Sequence, residues 1–273
     1  MHRPLLSAAV LVAGVTLFAA CASSTPAPAT DAPTDAPEAA ETTAPEPTSD
    51  LSGDLVIFAA ASLGTAFDEI AVAFEELHPG VDVQPIRYDG SSTLATQIIE
   101  GAAVDVFASA DENNMAKVTD ASLATGPALF ATNTLVIATP QDNPAGIAGI
   151  ADLASPDASV VLCAVEVPCG AASQKLLDAA GVAVTPASLE QNVTAVLTKV
   201  EAGEADAGLV YATDVVGKGV ASIVPEGAAD VVNKYPLVAL DDAPNPEAAQ
   251  AFVEFVLSAE GQAILAALGF GAP

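Results

Sequence analysis

An α/β fold with mostly parallel sheets is predicted for residues 51–273, and three observations predict it. Short apolar runs alternate many times with amphipathic stretches of helical spacing, the pattern of strand–helix–strand units. Several runs are continuously apolar rather than alternating, as in strands covered on both faces. The amphipathic stretches are bounded by Ser, Asn, Pro and Gly, which start and stop helices for stereochemical reasons.

The elements follow in order. Residues 55–60 (LVIFAA) form the first buried strand. Ser62 opens a helix whose apolar positions Leu63, Ala66, Phe67, Ile70, Phe74 and Leu77 keep helical spacing, and Pro79-Gly80 ends it. Residues 81–88 read as a second strand. Another helix starts at Ser91 or Ser92, carries Leu94, Ile98 and Ile99, and stops at Gly101. Residues 104–108 make a third strand. Further strands fall at 135–138, 160–162, 207–211 and 237–240, with helices after Gly170 and after Asn192. Asn245-Pro246 begins the last helix, Asn suiting the N-cap and Pro the first helical position. Its buried stripe is Ala248, Ala251, Phe252, Phe255 and Val256. An internal echo links GAAVDVFASAD (101–111) to GEADAGLVYATD (203–214). It fits two halves of related construction, and chance in an Ala-rich chain accounts for it nearly as well.

The first fifty residues are of another kind. His2 and Arg3 precede an apolar run over residues 5–20, shorter than the ~20 residues that span a bilayer as a helix. The run ends in Phe18-Ala19-Ala20-Cys21, small residues at a cleavage point, so residues 1–20 are expected to be a secretory signal. The ending resembles the bacterial lipobox, with Phe18 where Leu is usual. That resemblance implies a lipidated Cys21 and an exported protein anchored to the outer face of the cell membrane. The alternative is a plain secretory signal with an incidental cysteine. Residues 22–50 are dominated by Ala, Pro, Thr, Asp and Glu, too little apolar surface to offset ordering entropy, and are expected to be a disordered tether.

Of 35 acidic residues six lie in the tether, and of seven basic residues Arg3 lies in the leader, so the remainder carries 23 net negative charges. Nucleic-acid binding is excluded on that balance, since phosphate neutralisation needs clustered Lys and Arg. One histidine, His78, follows the leader, which leaves no His cluster for zinc. The absence of Trp and the three Tyr argue against sugars or choline-like cations, which favour aromatic platforms.

Ligands of open α/β sheets bind beyond the carboxyl ends of the strands. Hydrogen-bond donors follow several strands here, at Ala61-Ser62, Gly90-Ser91-Ser92-Thr93, Pro168-Cys169-Gly170-Ala171 and Asn192-Val193-Thr194, and Tyr211 ends a strand itself. Free N–H groups at helix starts make each junction a candidate anion site. Taken singly, Ser62 and Ser91 read as helix caps rather than ligand contacts, and Tyr211 as a half-buried core tyrosine.

Taken together, the junctions carry a family resemblance. Ala59-Ala60-Ala61-Ser62-Leu63, Ser91-Ser92-Thr93-Leu94, residues 101–111, Val167-Pro168-Cys169-Gly170, Asn192-Val193, residues 208–214 and Tyr235-Pro236 together resemble, in order, the periplasmic molybdate-binding proteins of ABC importers. The resemblance covers essentially all of residues 51–273. It implies a two-lobed periplasmic-binding-protein fold with the ligand cleft between lobes, residues 51–132 plus 236–273 forming one and 133–235 the other. It implies molybdate or tungstate as ligand, no cofactor, an ABC permease as partner and a monomeric, non-enzymatic protein. It places the oxyanion on the hydroxyls of Ser62, Ser91 and Tyr211 and on the backbone N–H groups at Cys169 and Val193.

Two departures matter. Cys169 stands where the family often has Ala, which a backbone contact tolerates. Asp89-Gly90 puts a carboxylate beside the site. If it points inward, a protonated anion such as phosphate gains over molybdate; otherwise it caps the following helix as part of a turn. Cys163 and Cys169, six apart, are expected to form a disulfide in an exported protein, reduced thiols being the alternative. The rival enzyme reading makes Ser62 or Ser91 a nucleophile with His78 as base. Ala60-Ala61-Ser62-Leu63-Gly64 lacks the first Gly of a nucleophile elbow.

Overall fold

The computed structural model of the protein describes residues 51–273. The signal segment, Cys21 and the tether therefore lie outside the described residues. The first apolar run is two strands rather than one, β1 (Gly53–Leu55) and β2 (Ile57–Ala60). They part at Val56, whose N–H leaves the ladder and donates to the buried Asp105 carboxylate at 2.7 Å. Residues 81–88 likewise divide into β3 (Val81–Val83) and β4 (Arg87–Asp89). Pro85 lies in the gap, and proline has no N–H to give a ladder. Parallel pairing then joins β1 to β3 and β2 to β4.

Between these strands runs α1 (Gly64–Leu77), preceded by a tight 3-10 turn over Ala61–Leu63. Ser62 sits in that turn and makes no cap bond, so the helix begins two residues later than expected. Next come α2 (Ser91–Ile99), β5 (Val106–Ala108), α3 (Glu112–Asp120) and the long β6 (Ala128–Pro140). Beyond them lie β7 (Val160–Cys163), α4 (Pro168–Ala180), β8 (Ser188–Glu190), α5 (Val193–Glu201), β9 (Ala207–Tyr211) and β10 (Val220–Ile223). The chain returns through β11 (Val232–Ala239) and closes with α6 (Pro246–Leu257) and α7 (Ala259–Ala267).

The main sheet has strand order β4-β2-β5-β11-β6-β9-β7-β8, with β10 on β6. It is open and mixed. Parallel pairs hold β5 on β2 and both β8 and β9 on β7. The pairs β5–β11, β6–β11, β6–β9 and β6–β10 are antiparallel. These antiparallel pairs all involve β6 or β11, the strands that carry the chain between the halves in opposite directions. β6 pairs with β11 up to Thr134 and with β9 from Leu135.

The buried apolar residues separate accordingly. One core gathers Leu135, Val160, Leu176, Val196 and Leu209. Another gathers Ile57, Phe67, Phe74, Phe130, Tyr235 and Phe252, and a smaller one under α2 and α3 holds Leu94, Phe107 and Val118. Edge-on aromatic contacts run from the second core toward the middle of the molecule, Phe130 to Tyr235 at 6.2 Å and Tyr235 to Tyr211 at 5.9 Å.

The internal echo corresponds to repeated structure. Asp105 precedes β5 and accepts from Val56 N at the start of β2. Asp206 precedes β9 and accepts from Ser159 N at the start of β7, at 2.8 Å. In each half an aspartate thus ties the start of one parallel strand to its neighbour. Among the described residues no helix is long and apolar enough to cross a membrane.

Candidate functional site

The loops beyond β2, β4, β7 and β8, and the last residue of β9, converge on one small cavity of about 10 Å³. Ser62, Ser91, Cys169, Val193 and Tyr211 all line it, together with Asp89, Gly90, Ala110 and Val167. Three helices begin at its wall: α2 at Ser91, α4 at Pro168 and α5 at Val193. First-turn N–H groups have no intrahelical acceptor, so the N–H groups of Ser91, Cys169 and Val193 are available to an anion. The aligned peptide dipoles place partial positive charge at the same three points.

Two of the three hydroxyls already accept a hydrogen bond. Ser91 is fully buried, and its Oγ accepts from Ala110 N at 3.0 Å rather than capping α2, whose N-cap is Gly90. Tyr211 is also buried, and its Oη accepts from Asn233 Nδ2 at 2.9 Å. Asn233 Nδ2 donates as well to the carbonyl of Ala110 at 2.9 Å. A hydroxyl that already accepts still has a proton to give. The Ala110 peptide therefore orients both groups, Ser91 directly through its N–H and Tyr211 through Asn233. Ser62 Oγ lies 3.0 Å from Tyr235 Oη. Asn233 and Tyr235 belong to β11, and neither was selected as a site residue from sequence. Tyr235 entered only through the Tyr235-Pro236 motif of the resemblance and Asn233 not at all, because their bonds to Ser62 and Ala110 join residues far apart in sequence.

Burial pushes the Tyr211 phenol well above its ordinary range, reinforced by Tyr235, Asp214 and Asp111; the phenol is neutral and a donor. Asp214 Oδ2 accepts from Tyr211 N at 2.8 Å. Desolvation nevertheless raises its carboxyl to about 7, with the Tyr211 N–H and Lys218 opposing the rise.

Asp89 does not cap α2, contrary to the turn reading. Its Oδ1 accepts from Gly90 N at 2.7 Å and from Asn192 Nδ2 at 3.0 Å, the second bond crossing to the other half of the molecule. Asn192 is the N-cap of α5, its Oδ1 accepting from Ala195 N at 2.9 Å.

Cys163 and Cys169 are joined by a disulfide, Cα–Cα 5.7 Å, which ties the end of β7 to the first turn of α4. Gly170 makes the same connection possible on the backbone side: a Cβ there would lie 1.9 Å from the Ala164 carbonyl oxygen. Among the described residues no group of three or more His, Cys, Asp or Glu could hold a metal ion. His78 ends α1, its ring 4.5 Å from that of Phe74, while Ser62 precedes the same 14-residue helix. At 1.5 Å per residue the two are ~20 Å apart, so His78 cannot serve Ser62 as a base.

An open α/β sheet whose strand-end loops and three helix starts line one small cavity is the arrangement of a small-solute receptor. Residues 55–271 match the model of the bacterial extracellular solute-binding protein family, and the chain belongs to that family. It is similar to the molybdate-binding protein ModA of Mycobacterium tuberculosis, 43% identical over 272 residues, 98% of this chain and 97% of the relative. The Escherichia coli molybdate-binding protein ModA is 31% identical over 242 residues, 80% of this chain and 89% of that protein. In fold it matches the periplasmic molybdate-binding protein of Azotobacter vinelandii with TM-score 0.70 at 18% identity, covering 80% of this chain and 99% of that one.

Proposed function

We propose that the protein captures molybdate, and with it tungstate, outside the cell and delivers it to the permease of an ABC importer, held to the membrane by a lipid on Cys21. The observation that supports this most is the donor set. Ser62, Ser91, Tyr211 and the first turns of α2, α4 and α5 surround one cavity, and Ser91 and Tyr211 already have an acceptor position filled. Such a set matches an anion that carries no proton. Each hydrogen bond to a charged oxygen contributes ~1.5–3 kcal/mol, against ~0.3–1 kcal/mol for an exposed helix terminus. The hydrogen bonds therefore dominate, with the dipoles secondary.

The net negative charge of the chain is compatible with this, because surface carboxylates are screened beyond ~8 Å at physiological salt. In this reading residues 51–132 plus 236–273 act as one lobe and 133–235 as the other. Ser62 and Ser91 then belong to the first, Cys169, Val193 and Tyr211 to the second, and the anion bridges them. Closure around it gives the permease a state to recognise. The protein works as a monomer.

Calorimetry against molybdate, tungstate, sulfate and phosphate tests the proposal. Tight binding of the first two alone is the expected result. Preference for phosphate would redirect attention to Asp89, and no binding of any of the four would overturn the reading.

A further inference from the structure

We infer that Asp89 and Asn192 form a latch that holds the two walls of the anion cavity in register and sets how long the anion stays. This rests on the anion-binding reading above. The two residues are 103 positions apart and joined at 3.0 Å. Asp89 ends β4, immediately before Gly90 and Ser91; Asn192 immediately precedes Val193. The bond therefore connects the segment that supplies the Ser91 hydroxyl to the helix start that supplies the Val193 N–H.

Both ends of the Asn192 amide are committed. Its Oδ1 accepts from Ala195 N and its Nδ2 faces the Asp89 carboxylate. The two partners demand the same orientation of the amide, which fixes the assignment of O and N. Asp89 Oδ1 is held in turn by Gly90 N at 2.7 Å. The carboxylate thus takes two N–H donors, a charge-assisted arrangement. An Asn192 that only capped α5 would need no such partner.

The backbone beside the bond is closely packed. A Cβ on Gly90 would lie 2.1 Å from the Gln191 carbonyl oxygen and 3.2 Å from Val167 Cγ1. Residue 90 can meet residues 191 and 167 only because it is glycine. When the walls part, Asp89 and Asn192 both regain water, so the bond adds little to folding and acts on closure instead.

Asn192→Asp provides the test, because Asp caps a helix as well as Asn does. It keeps the α5 start and replaces attraction to Asp89 by repulsion. Asp89→Asn combined with Asn192→Asp restores a donor–acceptor pair in the reverse sense. Protein loaded with radiolabelled molybdate is chased with excess unlabelled anion. We expect Asn192→Asp to release molybdate ~10–100-fold faster, with association changed by no more than ~3-fold. The double variant is expected to recover most of the loss. Gly90→Ala, which forces the walls apart while leaving both latch side chains in place, is expected to speed release as well. Unchanged release from Asn192→Asp, or a double variant no slower than Asn192→Asp, overturns the latch while leaving the anion site intact. Failure of the unaltered protein to retain molybdate overturns the underlying reading and the latch with it.

Discussion

Asn233 Nδ2 donates to Tyr211 Oη at 2.9 Å, which fills an acceptor position of the buried phenol and leaves it a proton to give. Asn233→Asp reverses this relationship. The new carboxylate would accept the phenol proton and add a negative charge behind the site. Molybdate affinity should fall at least ~tenfold, comparable to the loss of one hydrogen bond to a charged oxygen. Tyr211→Phe should give a similar loss by removing the donor itself. Titration calorimetry of the two variants checks both, and normal affinity in Asn233→Asp would show that Tyr211 does not donate to the ligand.

The two serines should separate under mutation. Ser91 is fully buried and accepts from Ala110 N, so Ser91→Ala removes an anion donor and also strands a backbone N–H. It should weaken binding and cost ~1–3 kcal/mol of stability. Ser62 is partly exposed and touches only Tyr235 Oη. Ser62→Ala should weaken binding with little change in melting temperature. Paired calorimetry and thermal denaturation distinguish the two; equal effects on stability would contradict the different roles.

Most of the site was legible in the sequence because its residues sit at strand ends, where apolar runs give way to Ser, Cys-Gly or Asn. Local pattern locates those junctions. What it could not supply was the partner across the fold. Ser62 and Ser91 read as caps from local pattern, yet one meets Tyr235 and the other Ala110, contacts made by sheet order alone. Asp89 had two local readings; it does not cap α2, and it lines the cavity bonded to Asn192 from across the fold. The mixed sheet escaped for the same reason. Parallel βαβ units show in periodicity, whereas the antiparallel crossing of β6 and β11 depends on where the chain passes between cores. The splits at Val56 and Pro85 mark places where a backbone N–H is diverted or missing, and Pro85 alone was visible as such.

The Cys163–Cys169 disulfide closes a short loop beside the Cys169 N–H. For a loop of this size the constraint on the unfolded chain is worth about 2 kcal/mol. Replacing both cysteines by Ser should lower the melting temperature by several degrees. It should also weaken molybdate binding, because the first turn of α4 loses its covalent tie to the end of β7. Reduction of the unaltered protein should reproduce both effects. A variant with lowered stability but full affinity would confine the bridge to a role in folding.

Asp214 connects pH to both stability and binding. Its carboxyl is raised from the ordinary 3.8 to about 7, so the folded protein holds a proton that the unfolded chain releases. Stability from this group is fully present below pH 3.8 and is lost as pH rises to about 7. Asp214→Asn keeps an oxygen for Tyr211 N and cannot ionise. The variant should match the unaltered protein in melting temperature at pH 4 and exceed it at pH 8. Binding should follow the same course. An ionised carboxylate bonded to Tyr211 N opposes a dianion at the phenol, so molybdate affinity of the unaltered protein should decline from pH 6 to pH 8. In Asp214→Asn that decline should flatten. If both proteins lose affinity in parallel over this range, the titrating group lies elsewhere and the charge on Asp214 is not felt at the ligand.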